Sequence, residues 1–114
     1  MPFEQHQEKQ YSKNQETIFR AALASVESLN GGLVSSSPEK GRLEVKFPKK
    51  MLGKTLGERT HLTAEIRTQG EGSLVVVDAY PLDAIEQKLM FGARKGVTRA
   101  VVTLFIEHLD QQLG

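Results

Sequence analysis

The sequence predicts an α+β domain in which a four-stranded antiparallel sheet packs against two long helices, in the order α-β-β-β-β-α. Three observations carry that expectation. Apolar residues recur at helical spacing towards both ends of the chain, they alternate with polar residues in two segments between, and Pro, Gly and Asn clusters punctuate the joints. Strands never alternate with helices as a parallel sheet would require. At 114 residues and 39% hydrophobic content, the chain is sized for one core.

Residues 1–11 read as a flexible tail, because Met1 to Gln10 is rich in Gln and Glu and has only Phe3 as a large apolar side chain to offset its ordering entropy. The single domain then runs 12–114. Ile18, Phe19, Ala22, Leu23, Val26 and Leu29 share one face of an amphipathic helix, which Asn30-Gly31-Gly32 should end through a glycine at positive φ. Leu33 to Ser36 is a short strand, Pro38-Glu39-Lys40-Gly41 a turn, and Arg42 to Phe47 a strand burying Leu43, Val45 and Phe47. Pro48 stops it, and Lys49 to Gly57 reads as an irregular connection.

The alternation resumes from Glu58 to Thr68, with Leu62, Ala64 and Ile66 inward and His61, Thr63, Glu65 and Arg67 outward. Gln69-Gly70-Glu71-Gly72 turns the chain into a return strand, Ser73 to Tyr80, whose run Leu74-Val75-Val76-Val77 offers apolar groups to both faces. Asp78 sets its phase: Leu74, Val76 and Tyr80 go outward with it, while Val75, Val77 and Ala79 go inward. Leu82 to Phe91 reads as a short helix over the sheet edge. The last helix carries Val97, Val101, Leu104, Phe105, His108 and Leu109 on a broad apolar face.

Leu56-Gly57-Glu58-Arg59, Gly70-Glu71-Gly72 followed by Val75-Val76-Val77, and Phe91-Gly92-Ala93-Arg94-Lys95 followed by Val97 together resemble a group of small, largely uncharacterised bacterial domains. That group has a helix-grip or TBP-like fold, and the resemblance spans roughly Ile18 to Leu113. It implies the fold and no single activity, since related domains bind nucleic acid, lipids, small apolar ligands or proteins. The function has to be argued from the residues.

Fifteen Lys and Arg against fourteen Asp and Glu leave no net field to draw the molecule onto a polyanion or a membrane. The absence of cysteine rules out disulfides, thiolate metal sites and a Cys nucleophile. No stretch has the form of a signal-peptide core, and none approaches the ~20 apolar residues of a membrane span, so a cytoplasmic protein is expected. His6, His61 and His108 lack metal-ligand spacing, and no nucleophile motif accompanies Glu107, His108 and Asp110. Neither a metal, a cofactor nor a catalytic group is assigned.

Three surfaces are candidates for function. Gly92, Arg94, Lys95 and Gly96 stand at the start of the last helix, where free N–H groups and two cations suit an anion; the glycines equally suit close helix packing. The basic residues Lys46, Lys49, Lys50, Lys54 and Arg59, with Lys88, Arg94, Lys95 and Arg99, would follow a nucleic acid or other polyanion if they shared a face. Leu74, Val76, Tyr80, Leu82, Ile85, Leu89 and Met90 exceed what one sheet face needs and mark an interface. The leading expectation is a non-enzymatic binding or assembly module. It would use the sheet face or the space between sheet and helices for a protein partner, a second copy or a small apolar ligand. Polyanion binding and an enzyme whose site assembles only in three dimensions are the alternatives.

Overall fold

The structure is a computed structural model that describes residues 4–51, 54–55, 58–83, 85, 87–88 and 96–114. Among the described residues the main sheet has five strands rather than the four expected. They are β1 (Gln5–Tyr11), β2 (Gly32–Ser37), β3 (Arg42–Phe47), β6 (Arg59–Gln69) and β7 (Gly72–Leu82), in the antiparallel spatial order β1-β7-β6-β3-β2. Helices α1 (Gln15–Ser28) and α2 (Val97–Leu113) both bury their apolar stripes in one cluster with the inward residues of β3, β6 and β7, so they lie on the same side of the sheet.

Helix α1 starts where Asn14 Oδ1 accepts a hydrogen bond from Thr17 N at 2.8 Å, a side-chain cap that satisfies an otherwise orphaned N–H. It buries Ile18, Phe19, Ala21, Ala22, Ser25 and Val26. Its end departs from expectation. Asn30, not a glycine, takes the left-handed conformation at φ 59°, which Asn tolerates better than other side chains. Gly31 serves a different need: a Cβ there would stand 2.8 Å from the Phe47 ring and 2.9 Å from Val26 and Val45, so only glycine lets the helix end approach β3.

The alternation in the middle of the chain is realised as read. Leu43, Val45, Phe47, Leu62, Ala64 and Ile66 are all 0% exposed, and they meet Val101, Phe105 and Leu109 of α2 in the core. The β6–β7 register closes at Gln69↔Gly72 with Gly70 at φ 60°, the positive-φ first position that a two-residue hairpin of type II′ favours.

Three local expectations are corrected. The stretch read as a flexible tail contains β1, paired with β7 from Gln5↔Ala79 to Tyr11↔Ser73. Counting apolar area missed it because β1 is polar on both faces. It is held by its backbone ladder and by Asp110 of α2, which accepts hydrogen bonds from Lys9 Nζ at 2.7 Å and Tyr11 Oη at 2.8 Å. The two-faced apolar run of β7 finds cover because β7 is an interior strand: outward Val76, between Glu8 of β1 and Glu65 of β6, is 7% exposed. The connection after Pro48 holds a two-stranded hairpin, β4 (Lys50–Met51) with β5 (Lys54–Thr55).

The expected short helix from Leu82 to Phe91 is not what the described part of that segment forms. Asp83 organises a turn there: its Oδ1 accepts from the backbone N–H of Ile85 and Gln87, its N–H donates to Gln87 O, and Leu82 then bridges antiparallel to Lys88. An Asp side chain that mimics a backbone turn in this way competes directly with helix.

Candidate functional site on the outer sheet face

With both helices on one side, neither covers the opposite face, and the register dictates what that face displays. Antiparallel partners directly opposite one another point to the same side. One row therefore runs Lys46, His61, Tyr80; the next Glu44, Thr63, Asp78, His6; the third Arg42, Glu65, Val76, Glu8; and the fourth Arg67, Leu74, Gln10.

The first row is built around a ring stack. His61 and Tyr80 lie with centroids 4.7 Å apart and planes 18° from parallel, within the range of offset stacking. His61 Nε2 is 2.6 Å from a Glu44 oxygen, and only 10% of the His61 side chain is exposed. The sequence reading placed this histidine on an open strand face; it is on that face, but sealed by Tyr80 and Glu44. The hydrogen bond with His61 holds the Glu44 carboxyl below its ordinary pKa against the opposing effect of burial, with smaller help from Ser35 and Arg42. On the other side of Tyr80, the Lys88 ammonium sits 5.0 Å from the ring centroid and is ion-paired with Glu4.

The second centre is His6, which has 2.6 Å from Nδ1 to Asp78 Oδ1 and 2.9 Å from Nε2 to Glu8 Oε2. The Asp78 hydrogen bond, then that of Glu8, raises its pKa above the ordinary value. Arg67 is ion-paired with Glu65. This face thus interleaves acids and bases, each engaged with a neighbour.

Of the proposed interface residues, Leu74, Val76, Tyr80 and Leu82 are brought together on this face, and Ile85 stands 72% exposed on the turn beyond. They do not form a bare apolar patch. Val76 is only 7% exposed, between Glu8 and Glu65, and Leu82 only 4%; long charged side chains cover apolar groups with their stems. Leu89 and Met90 lie outside the described residues, as do Gly92, Arg94 and Lys95 of the candidate anion site. Gly96 is described: it caps α2 at φ 84° with no side-chain hydrogen bond.

The basic clusters are divided among the described residues. Lys46, Arg59 and Lys88 lie on the outer face around Tyr80, whereas Arg99 is exposed on α2, which packs on the opposite side of the sheet. His6, Glu8 and Glu4 were missed because they fall in the stretch read as a tail. The one trace of them in the sequence is the period-two placement of His6, Glu8 and Gln10, a strand pattern without an apolar phase. Among the described residues no three His, Asp or Glu side chains are grouped to hold a metal ion, and no helix is long and apolar enough to cross a membrane.

The arrangement suits binding better than acid–base catalysis. The His61–Glu44 pair is closed off, with the ring stacked and Nε2 engaged, whereas a general base must reach the proton it moves. The Tyr80 side chain, half-buried and flanked by Lys88, stands one row from Thr63 and Asp78.

No protein-family model matches the sequence, and no curated protein does either. Solved structures do match in shape. Ara h 8.0201 superposes with a TM-score of 0.62 at 10% identity, covering 96% of this chain and 97% of that one. CV1439 from Chromobacterium violaceum gives 0.60 at 12% identity, covering 99% and 95%. CalU16 from Micromonospora echinospora gives 0.60 at 10% identity, covering 97% of this chain and 76% of that one. At such identities the likeness is one of fold, and with the sheet and helices described above it identifies the chain as an α+β protein of the helix-grip fold.

Proposed function

We propose that this protein is a non-enzymatic binding module that receives a protein partner on the outer face of its sheet, around Tyr80. The observation that carries this reading is the half-buried Tyr80 side chain, set between the sealed His61–Glu44 pair and Lys88 on a face that neither helix covers. An aromatic group with an apolar body and a polar tip, surrounded by charges of both signs, matches the composition of protein-recognition surfaces. For a polyanion the face offers no uniform basic field, since Glu44, Glu65, Asp78 and Glu8 alternate on these rows with Lys46, Arg42 and Arg67.

The space between sheet and helices is the less suitable site. Among the described residues, Phe47, Phe105, Leu62 and Ile66 pack it at 0% exposure. The test is site-specific photo-crosslinking in the cells that make the protein, with a crosslinking phenylalanine analogue at position 80 and, as control, at Glu27, exposed on α1. A discrete adduct at 80 and none at 27 is the expected result. Equal labelling at both, or none at 80, overturns the reading.

A further inference from the structure

The sheet has two edges, β1 and β2, and they differ in kind. An unpaired strand edge is a template for another strand, and proteins that stay monomeric usually guard it with charge, proline or cover. The β1 edge is guarded by His6, Glu8 and Lys9. The β2 edge, Gly-Leu-Val-Ser-Ser-Ser, carries no charge and no proline, is exposed from Gly32 to Ser36, and has no strand on its outer side among the described residues. Leu33 at 47% and Val34 at 49% exposure are two of the three large exposed hydrophobics among the described residues, and they stand together at this edge. Leu33 is opposite Val45, and the register then skips Val34 as a bulge before Ser35↔Glu44.

We infer that β2 is the seam of a homodimer, in which the β2 strands of two copies pair antiparallel about a two-fold axis and join two sheets into one. The N–H and C=O groups of an exposed edge are met by water or by another extended strand, and among the described residues the main sheet offers two such edges. Pairing β2 with the β1 of another copy would leave a bare edge at each end and propagate without closing. It would also set apolar Leu33 and Val34 against a strand bearing His6, Glu8 and Lys9. Pairing β2 with itself closes and matches uncharged residues to uncharged residues: centred on Ser36, it sets Ser35 of each copy opposite Ser37 of the other, with Leu33 and Val34 flanking the ladder at each end. A bulge can turn an edge away from partners; here three residues in regular register, Ser35 to Ser37, follow it and supply the ladder.

The inference does not depend on the Tyr80 face, and its test is separate. Sedimentation velocity on the full chain should show a concentration-dependent monomer–dimer equilibrium. Val34→Lys and Ser36→Lys, both at exposed positions, should each weaken the dimer about tenfold or more while circular dichroism stays unchanged. Ile85→Lys, at the third exposed hydrophobic, should leave the equilibrium as it was. Hydrogen exchange gives a readout free of substitutions: amides of Ser35 to Ser37 should gain protection as protein concentration rises. A wild type that remains monomeric at high concentration, a dimer insensitive to both lysine variants, or β2 exchange independent of concentration overturns the inference.

Discussion

Gly31 shows how one residue can satisfy a packing demand that backbone conformation alone does not reveal. The Phe47 ring, Val26 and Val45 converge within 2.9 Å of where its Cβ would be, so Gly31→Ala must push α1 away from β3. A loss of about 1–3 kcal/mol in a denaturant titration is expected, in line with other overpacked sites. Phe105, 0% exposed at the centre of α2's buried face, is the converse case, and Phe105→Ala should cost about 3 kcal/mol by the same measurement. At Val76 the sign of an introduced charge matters more than its presence. Glu8 and Glu65 are its direct cross-strand neighbours, so Val76→Glu should be less stable than Val76→Lys by roughly 1 kcal/mol, and equal midpoints would show that the outer face is wrongly registered.

Strand β1 is the element whose behaviour follows most directly from its attachments. It contributes one large side chain, Tyr11, to the edge of the core and is otherwise latched by polar groups. Burial, with the Asp110 bond, raises the Tyr11 pKa; at Asp110 the bonds from Lys9 and Tyr11 outweigh burial and hold the carboxyl below 3.8. The latch at Asp110 is therefore present above that ordinary value and is lost as pH falls through the lower folded one. His6 runs the other way: its folded pKa is raised above 6.5, so its contribution is complete below 6.5 and disappears as pH rises through the folded value. Hydrogen-exchange protection of the β1 amides, corrected for intrinsic rates, should accordingly decline on the alkaline side of the His6 titration. Asp78 and Glu8 are its partners in that titration. His6→Ala should remove that decline and leave the acid limb in place; an unchanged alkaline limb would assign it to another group.

At the scale of the whole molecule, removing residues 1–11 tests whether the fifth strand is integral. A tail could be deleted without consequence, but β1 covers the edge of the apolar strand β7, so its loss should lower the melting temperature by on the order of 5 °C or more and promote association. An unchanged melting temperature would show that β1 docks without stabilising. The sequence by itself determined the fold class, both helices, the two hairpins and the inward residues of β3 and β6, because each rests on a short-range period of apolar side chains facing one core. Leu62, Ala64 and Ile66 could be read from alternation alone. Tertiary structure alone decided that β1 exists, that β7 lies inside the sheet, that His61 is sealed by Tyr80 and Glu44, and that β1 and β2 are the edges of the described sheet. These facts depend on hydrogen bonds and ion pairs between residues far apart in the chain, such as Lys9 with Asp110 and His6 with Asp78, for which no local period of apolar groups exists to be read.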